Sequence, residues 1–168
     1  GIADRSFSEQ SSLVASFLKL LDLPDSRLTS AEVMDFLETP AVARRFEFGE
    51  NELSTISYWI REAGIRWEMS GESKSKRWQV PETNQNTWRF GLDRLLLGLA
   101  MDTAEGTFGS DLPFDVNAGD GELLGTLAYI VQLLDSYRDR LSKPHSAVEW
   151  QSIINDLLAD MYLPDVNE

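Results

Sequence analysis

The spacing of apolar side chains restricts this chain more than any other feature. Along most of its length they recur three and four positions apart, the period of an α-helix, and the strict alternation of a half-buried strand is nearly absent. Residues 8–22 carry Leu13, Phe17, Leu20 and Leu21 at helical spacing, with Ser8 as a cap and Pro24 as the stop. Thr29, with Glu32 three residues on, forms a capping box for a helix whose stripe is Val33, Phe36 and Leu37. Thr39-Pro40 starts a short helical turn, with proline at the first helical position. Residues 50–63 place Leu53, Ile56, Ile60 and Ala63 on one face, and Gly64 suits the left-handed residue past a helix end.

Ile65-Arg66-Trp67 reads as extended, and residues 68–83, polar and rich in Lys and Ser, as an irregular exposed loop closed by Val80-Pro81. From Thr87 to Met101, Trp88, Phe90, Leu92, Leu95, Leu96, Leu97 and Leu99 nearly encircle the axis, which predicts a central, buried helix. The Gly- and Asp-rich stretch 102–120 reads as a long connection. Asp120 then caps a helix over 121–142 with Leu123, Leu127, Ile130, Leu134 and Leu141 on one face. Ser146 and Glu149 form another capping box, for a helix burying Val148, Trp150, Ile153 and Leu157. The expectation is one all-α domain over residues 1–168, an irregular bundle of about six or seven helices. No internal repeat is evident.

Composition narrows the chemistry. At 168 residues the chain can bury one substantial core. It has no cysteine, which removes disulfides, thiolate nucleophiles and Cys-based zinc sites. No run of 18 apolar residues crosses a membrane, and the start, without Met or a leader-like pattern, reads as part of a longer chain. The net charge of −13 argues against autonomous nucleic-acid binding, which needs a basic footprint. Basic character is concentrated, however: residues 61–94 hold seven basic and five acidic side chains.

Four of the five tryptophans (Trp59, Trp67, Trp78 and Trp88) fall within residues 59–88, among those basic residues. Aromatic rings can stack on unpaired bases while Lys and Arg follow phosphates. Arg66, Lys74, Lys76, Arg77 and Trp78 are therefore candidates for DNA contact, or for contact with a neighbouring subunit. Trp59 and Trp88 lie on helical patterns and read as core. Arg44 and Arg45 follow the Pro40 turn and are further contact candidates, although cations at a helix C-terminus also answer the helix dipole.

Other chemistries are weaker. There is no Gly-Lys pair, hence no P-loop. Glu72 and Lys74 spell the ExK half-motif of metal-dependent nucleases but lack a preceding acid on a strand. His145 is the sole histidine and reads as a surface residue in a turn. Asp115, Asp120 and Glu122 lack the alternation and closing Glu of a calcium loop. No catalytic residue, metal or cofactor is expected.

Several strings resemble the RecC family, the gamma subunit of the bacterial RecBCD exodeoxyribonuclease V. They are LLDLPDSRLTSAEVMDFLETPAVARRF (20–46), Trp59 through AGIRW (63–67), and NTWRFGLDRLLLGLAM (86–101). DLPFD (111–115) and VEW (148–150) follow in the same order. The resemblance covers roughly residues 13–160. It implies a subunit built like a superfamily-one helicase whose ATPase motifs have decayed, held between RecB-like and RecD-like motor subunits in the bacterial cytoplasm. Such subunits help part the duplex, guide the single strand and scan it for Chi. The segment resembles the helical subdomain inserted in the second helicase-like domain. Where related sequences tend to have glycine after IRW, this chain has Glu68, and its SGESKSKRWQVP loop is its own. The expected function is a non-catalytic structural and DNA-path domain. The alternatives are a free-standing helical adaptor that never meets DNA and a small self-sufficient nuclease.

Overall fold

A computed structural model describes residues 1–103, 118–163 and 165. Among them run eight α-helices and no strand: α1 (Ile2–Leu21), α2 (Ser30–Leu37), α3 (Pro40–Phe46), α4 (Glu50–Glu62), α5 (Gly71–Trp78), α6 (Trp88–Thr103), α7 (Gly121–Leu141) and α8 (Ala147–Met161). Two short 3₁₀ turns, Leu23–Asp25 and Ala118–Asp120, follow α1 and precede α7. Most of the connection expected over 102–120, with Asp115 and the DLPFD string, lies outside the described residues.

Local chemistry explains most of these boundaries. The Thr29 hydroxyl accepts from the Glu32 N–H at 3.2 Å, while the Glu32 carboxylate accepts from the Thr29 N–H at 2.9 Å. Ser146 and Glu149 repeat the arrangement at 3.2 and 2.6 Å. Each such box satisfies two backbone donors that a helix start otherwise orphans. Pro40 is the first residue of α3, and Gly64 takes a left-handed φ of +68° beyond α4. Asp120 occupies the N-cap position of α7, but its side chain makes no capping bond. Helix α1 starts at Ile2, so Ser8 sits within it and caps nothing.

The core gathers around α7, which buries Leu124, Leu127, Ile130, Val131, Leu134, Tyr137 and Leu141. It packs against the Leu23–Asp25 turn, α6 and α4. Trp59 and Trp88 are essentially inaccessible, as their helical spacing implied. The indole of Trp88 donates to the Leu28 carbonyl at 2.7 Å, so its polar atom is not stranded in the interior. Gly91 lets α6 come close to Ile65: a Cβ there would stand 2.2 Å from Ile65 Cγ1.

Further expectations are corrected. Residues 68–83 are not an exposed irregular loop. They contain α5, and Glu68, Met69, Ser70, Gly71 and Lys74 are buried. Helix α6 is buried on one side only: Trp88, Leu92 and Leu95 face inward, whereas Phe90 and Leu97 are exposed. Val148 is 77% exposed, because the inward face of α8 is set by Ile153, Leu157 and Met161. Ile65–Trp67 forms no strand, although its backbone is used: the Ser30 N–H donates to Arg66 O, and Arg66 N–H to Asn86 O, both at 2.9 Å.

Candidate nucleic-acid or partner interface

The basic, tryptophan-rich stretch folds into a short helix with two different faces. Ser70 caps α5 by accepting from the Ser73 N–H at 3.2 Å, and Lys76 pairs with Glu72 one turn earlier at 2.6 Å. Gln79, at φ +55°, ends it. Gly71 meets the loop opposite so closely that a Cβ would lie 2.8 Å from the Thr83 carbonyl carbon, and its N–H donates to Asn84 Oδ1 at 2.9 Å.

The inward face is organised by Glu68. Its side chain is fully buried, and so is that of Arg138 on α7. The guanidinium grips both carboxylate oxygens, with Nη1 to Oε2 at 3.1 Å. Trp78 Nε1 donates to Oε2 at 2.7 Å and the Met69 N–H to Oε1 at 2.9 Å. Arg138 also reaches Asp135 at 2.8 Å and the Ser26 carbonyl at 3.2 Å, while its Nε has no partner among the described residues. Burial alone pushes the Glu68 carboxyl up. The bonds from Arg138, Met69 and Trp78, with the Arg138 charge, outweigh that and hold it below its ordinary value. Glu68 has φ +64°, a left-handed backbone that favours glycine and that the converging donors hold in place.

Lys74 turns inward as well. Its ammonium donates to the Gln85 carbonyl at 2.5 Å and lies 5.1 Å from the centre of the Trp67 ring. Burial pulls its pKa down, opposed in part by Glu68. Arg27 lies over both half-buried tryptophans, 4.6 Å from the Trp78 ring and 5.7 Å from the Trp67 ring. A guanidinium thus already occupies one face of Trp78.

The outward face belongs to Lys76 and Arg77. A shallow cleft of about 340 Å³ beside α5 and α7 brings them together with Arg89, facing Glu72, Asp135 and Asp139. A Lys143 hydrogen bond holds the Asp139 carboxyl below its ordinary value, helped by the charge of Arg77. Arg66 is exposed at the head of the preceding loop and does not line this cleft. Arg44 and Arg45 sit on α3, which packs against α1 and α2. Arg44 is engaged by Glu9 and the Leu163 carbonyl, at 3.3 and 3.1 Å, while Arg45 is exposed beside the Phe46 ring.

The weaker motifs resolve simply. Glu72 and Lys74 do not converge, since one pairs with Lys76 and the other with Gln85 O. The His145 ring is 2.6 Å from the Arg140 carbonyl and packs edge-on against Trp150. Among the described residues no cluster of three or more His, Asp or Glu is arranged to hold a metal, and no helix is long and apolar enough to cross a membrane. Sequence reasoning missed the roles of Arg27, Glu68 and Arg138. A glutamate where the family pattern favours glycine was the available signal for the last two.

Fold and face together define an all-α domain with a charged surface backed by a buried carboxylate–guanidinium pair. The family model described as RecBCD enzyme subunit RecC fourth domain matches residues 10–168. The chain belongs to this RecC family. It is 38% identical to the RecBCD enzyme subunit RecC of Escherichia coli strain K12 over 98% of its length, and 32% identical to that of Buchnera aphidicola subsp. Acyrthosiphon pisum over 96%. The RecC subunit of Mycolicibacterium smegmatis is 38% identical over 89% of the chain. The chain spans about 15% of the length of the curated relatives it matches.

Proposed function

We propose that this chain is a structural and DNA-path domain of a RecC-type subunit of an ATP-dependent RecBCD helicase–nuclease, acting in double-strand-break repair and recombination. The observation that carries this reading is the 38% identity to a RecC subunit over nearly the whole chain. The domain contributes shape and surface, not a reaction centre. Its partners are the RecB-like and RecD-like motor subunits, in the bacterial cytoplasm, with DNA passing nearby. Lys76 and Arg77 on the outer face of α5, with Arg66 and Arg45 as further exposed cations, are the residues proposed to meet DNA or a neighbouring subunit. Lys74 and Trp78 support the α5 face from behind, and Arg44 is engaged separately on α3, because their polar atoms are used within the domain.

The test uses the full-length subunit assembled with its motors. Lys76→Ala with Arg77→Ala is expected to weaken forked-DNA binding and to flatten its log–log salt dependence by about 0.9 for each phosphate that is no longer neutralised. An unchanged slope removes the DNA contact and leaves a subunit contact. Loss of magnesium-dependent cleavage on Glu72→Gln would overturn the non-catalytic reading.

A further inference from the structure

We infer that the groove between the end of α1, the Leu23–Asp25 turn and α2 docks a basic segment of a partner polypeptide through one or two apolar anchor residues. This rests on the reading of the chain as an interaction domain of a larger assembly, and it concerns a different surface from the α5 face.

The groove has a volume of about 410 Å³, room for a few side chains. Its floor is apolar, built from Leu20, Leu23, Val33 and Phe36. Phe36 is held from behind by an edge-on contact with Tyr162, at 6.3 Å between centroids, and Tyr162 is fixed in turn by a 2.7 Å bond to Ser16. The wall is therefore preformed. Burial pushes the Tyr162 hydroxyl up to about 12, so the bond to Ser16 stays neutral throughout the physiological range.

Charge selects the occupant. Asp22, Asp25, Glu32 and Asp35 ring this floor and are all exposed, against a single cation, Lys19. None of the four carboxylates is in an ion pair among the described residues, although Glu32 serves the α2 cap and accepts from Ser26 at 3.0 Å. An apolar floor inside an uncompensated acidic rim suits a segment in which Lys or Arg flanks Leu, Ile or Phe. It repels phosphate, so nucleic acid is not the occupant.

The experiment places a photo-crosslinking benzoylphenylalanine at Asp35 in the full-length subunit within its assembled complex, and identifies the crosslinked peptide by mass spectrometry. The expected product is a Lys/Arg-rich peptide with an apolar residue, from another subunit. Asp22→Lys with Asp25→Lys should abolish that crosslink and weaken subunit association about tenfold or more at low salt, with the difference shrinking as salt rises. A crosslink to DNA, to an acidic segment or to the same chain overturns the inference, as does no crosslink at all. Unchanged association of the charge-reversed subunit also overturns it, provided its circular dichroism and melting match the parent. If crosslinking succeeds while the Lys76/Arg77 variant leaves DNA binding untouched, the DNA-path reading falls and the groove stands. The opposite pair of results removes the groove alone.

Discussion

Replacing Arg138 by methionine isolates the energetics of the buried pair. The change keeps a long apolar stem in the space but leaves the Glu68 carboxylate inside the protein without its guanidinium. Removing one member of a buried pair costs about 3–5 kcal/mol. Glu68 retains the Trp78 and Met69 donors, so the lower end, about 3 kcal/mol, is expected. For a chain of this size that lowers the melting temperature by about 6–12 °C. Glu68→Gly has two opposing effects. It relieves a left-handed residue, worth about 1 kcal/mol, and orphans a guanidinium that still holds Asp135 and Ser26 O, for a net loss of about 2 kcal/mol. The double variant replaces charge by apolar and flexible groups together and should lie within about 2 kcal/mol of the parent, where additivity would give about 5. Urea denaturation followed by circular dichroism on the four proteins completes the cycle. If Arg138→Met costs under about 1 kcal/mol, or if the single losses add, the pair does not couple α7 to the α5 segment and the reasoning fails.

Acid sensitivity should follow from the same pair. The folded-state carboxyl of Glu68 sits below its ordinary value of 4.5, so its stabilisation is complete above that pH and is lost as pH falls through the folded-state value. Denaturation midpoints measured from pH 6 downward should fall less steeply for Glu68→Gln than for the parent; parallel curves would count against this. Gly91→Ala drives a methyl into Ile65 and should cost about 1–3 kcal/mol by thermal melting, with Ile65→Val recovering part of the loss. Ser146→Ala removes a capping oxygen from α8 and should cost about 1 kcal/mol, visible as faster amide exchange in the first turn of that helix.

Much of the helical frame was legible because its signals are local. Thr29/Glu32 and Ser146/Glu149 act within one turn, and Pro40 and Gly64 act through their own backbone preferences. Helix α5 was not legible for the opposite reason. Its apolar content is nearly nil, so periodicity has nothing to show, and what orders it lies outside the helix: Asn84 on Gly71 and Gln85 on Lys74 from the following loop, and Arg138 on Glu68 from seventy residues away. The same distance hid the site. Composition grouped Lys74, Trp78, Lys76 and Arg77 as one basic and aromatic cluster, whereas the turn of the helix sends the first two inward and leaves the last two outside. Arg27, more than forty residues from Trp78, could not be assigned to its ring by any pattern. The over-burial expected of α6 has another cause, since seven apolar residues within one helix predict hydrophobicity but not how many neighbours will cover it.

The two ends of the helical array are clasped together. Ser16 meets Tyr162, the Leu163 N–H donates to the Ala41 carbonyl at 2.9 Å, and Arg44 holds both Glu9 and the Leu163 carbonyl. Were the chain to continue on both sides, as the greater length of its relatives allows, this clasp would tie its exit after α8 to α1 and α3.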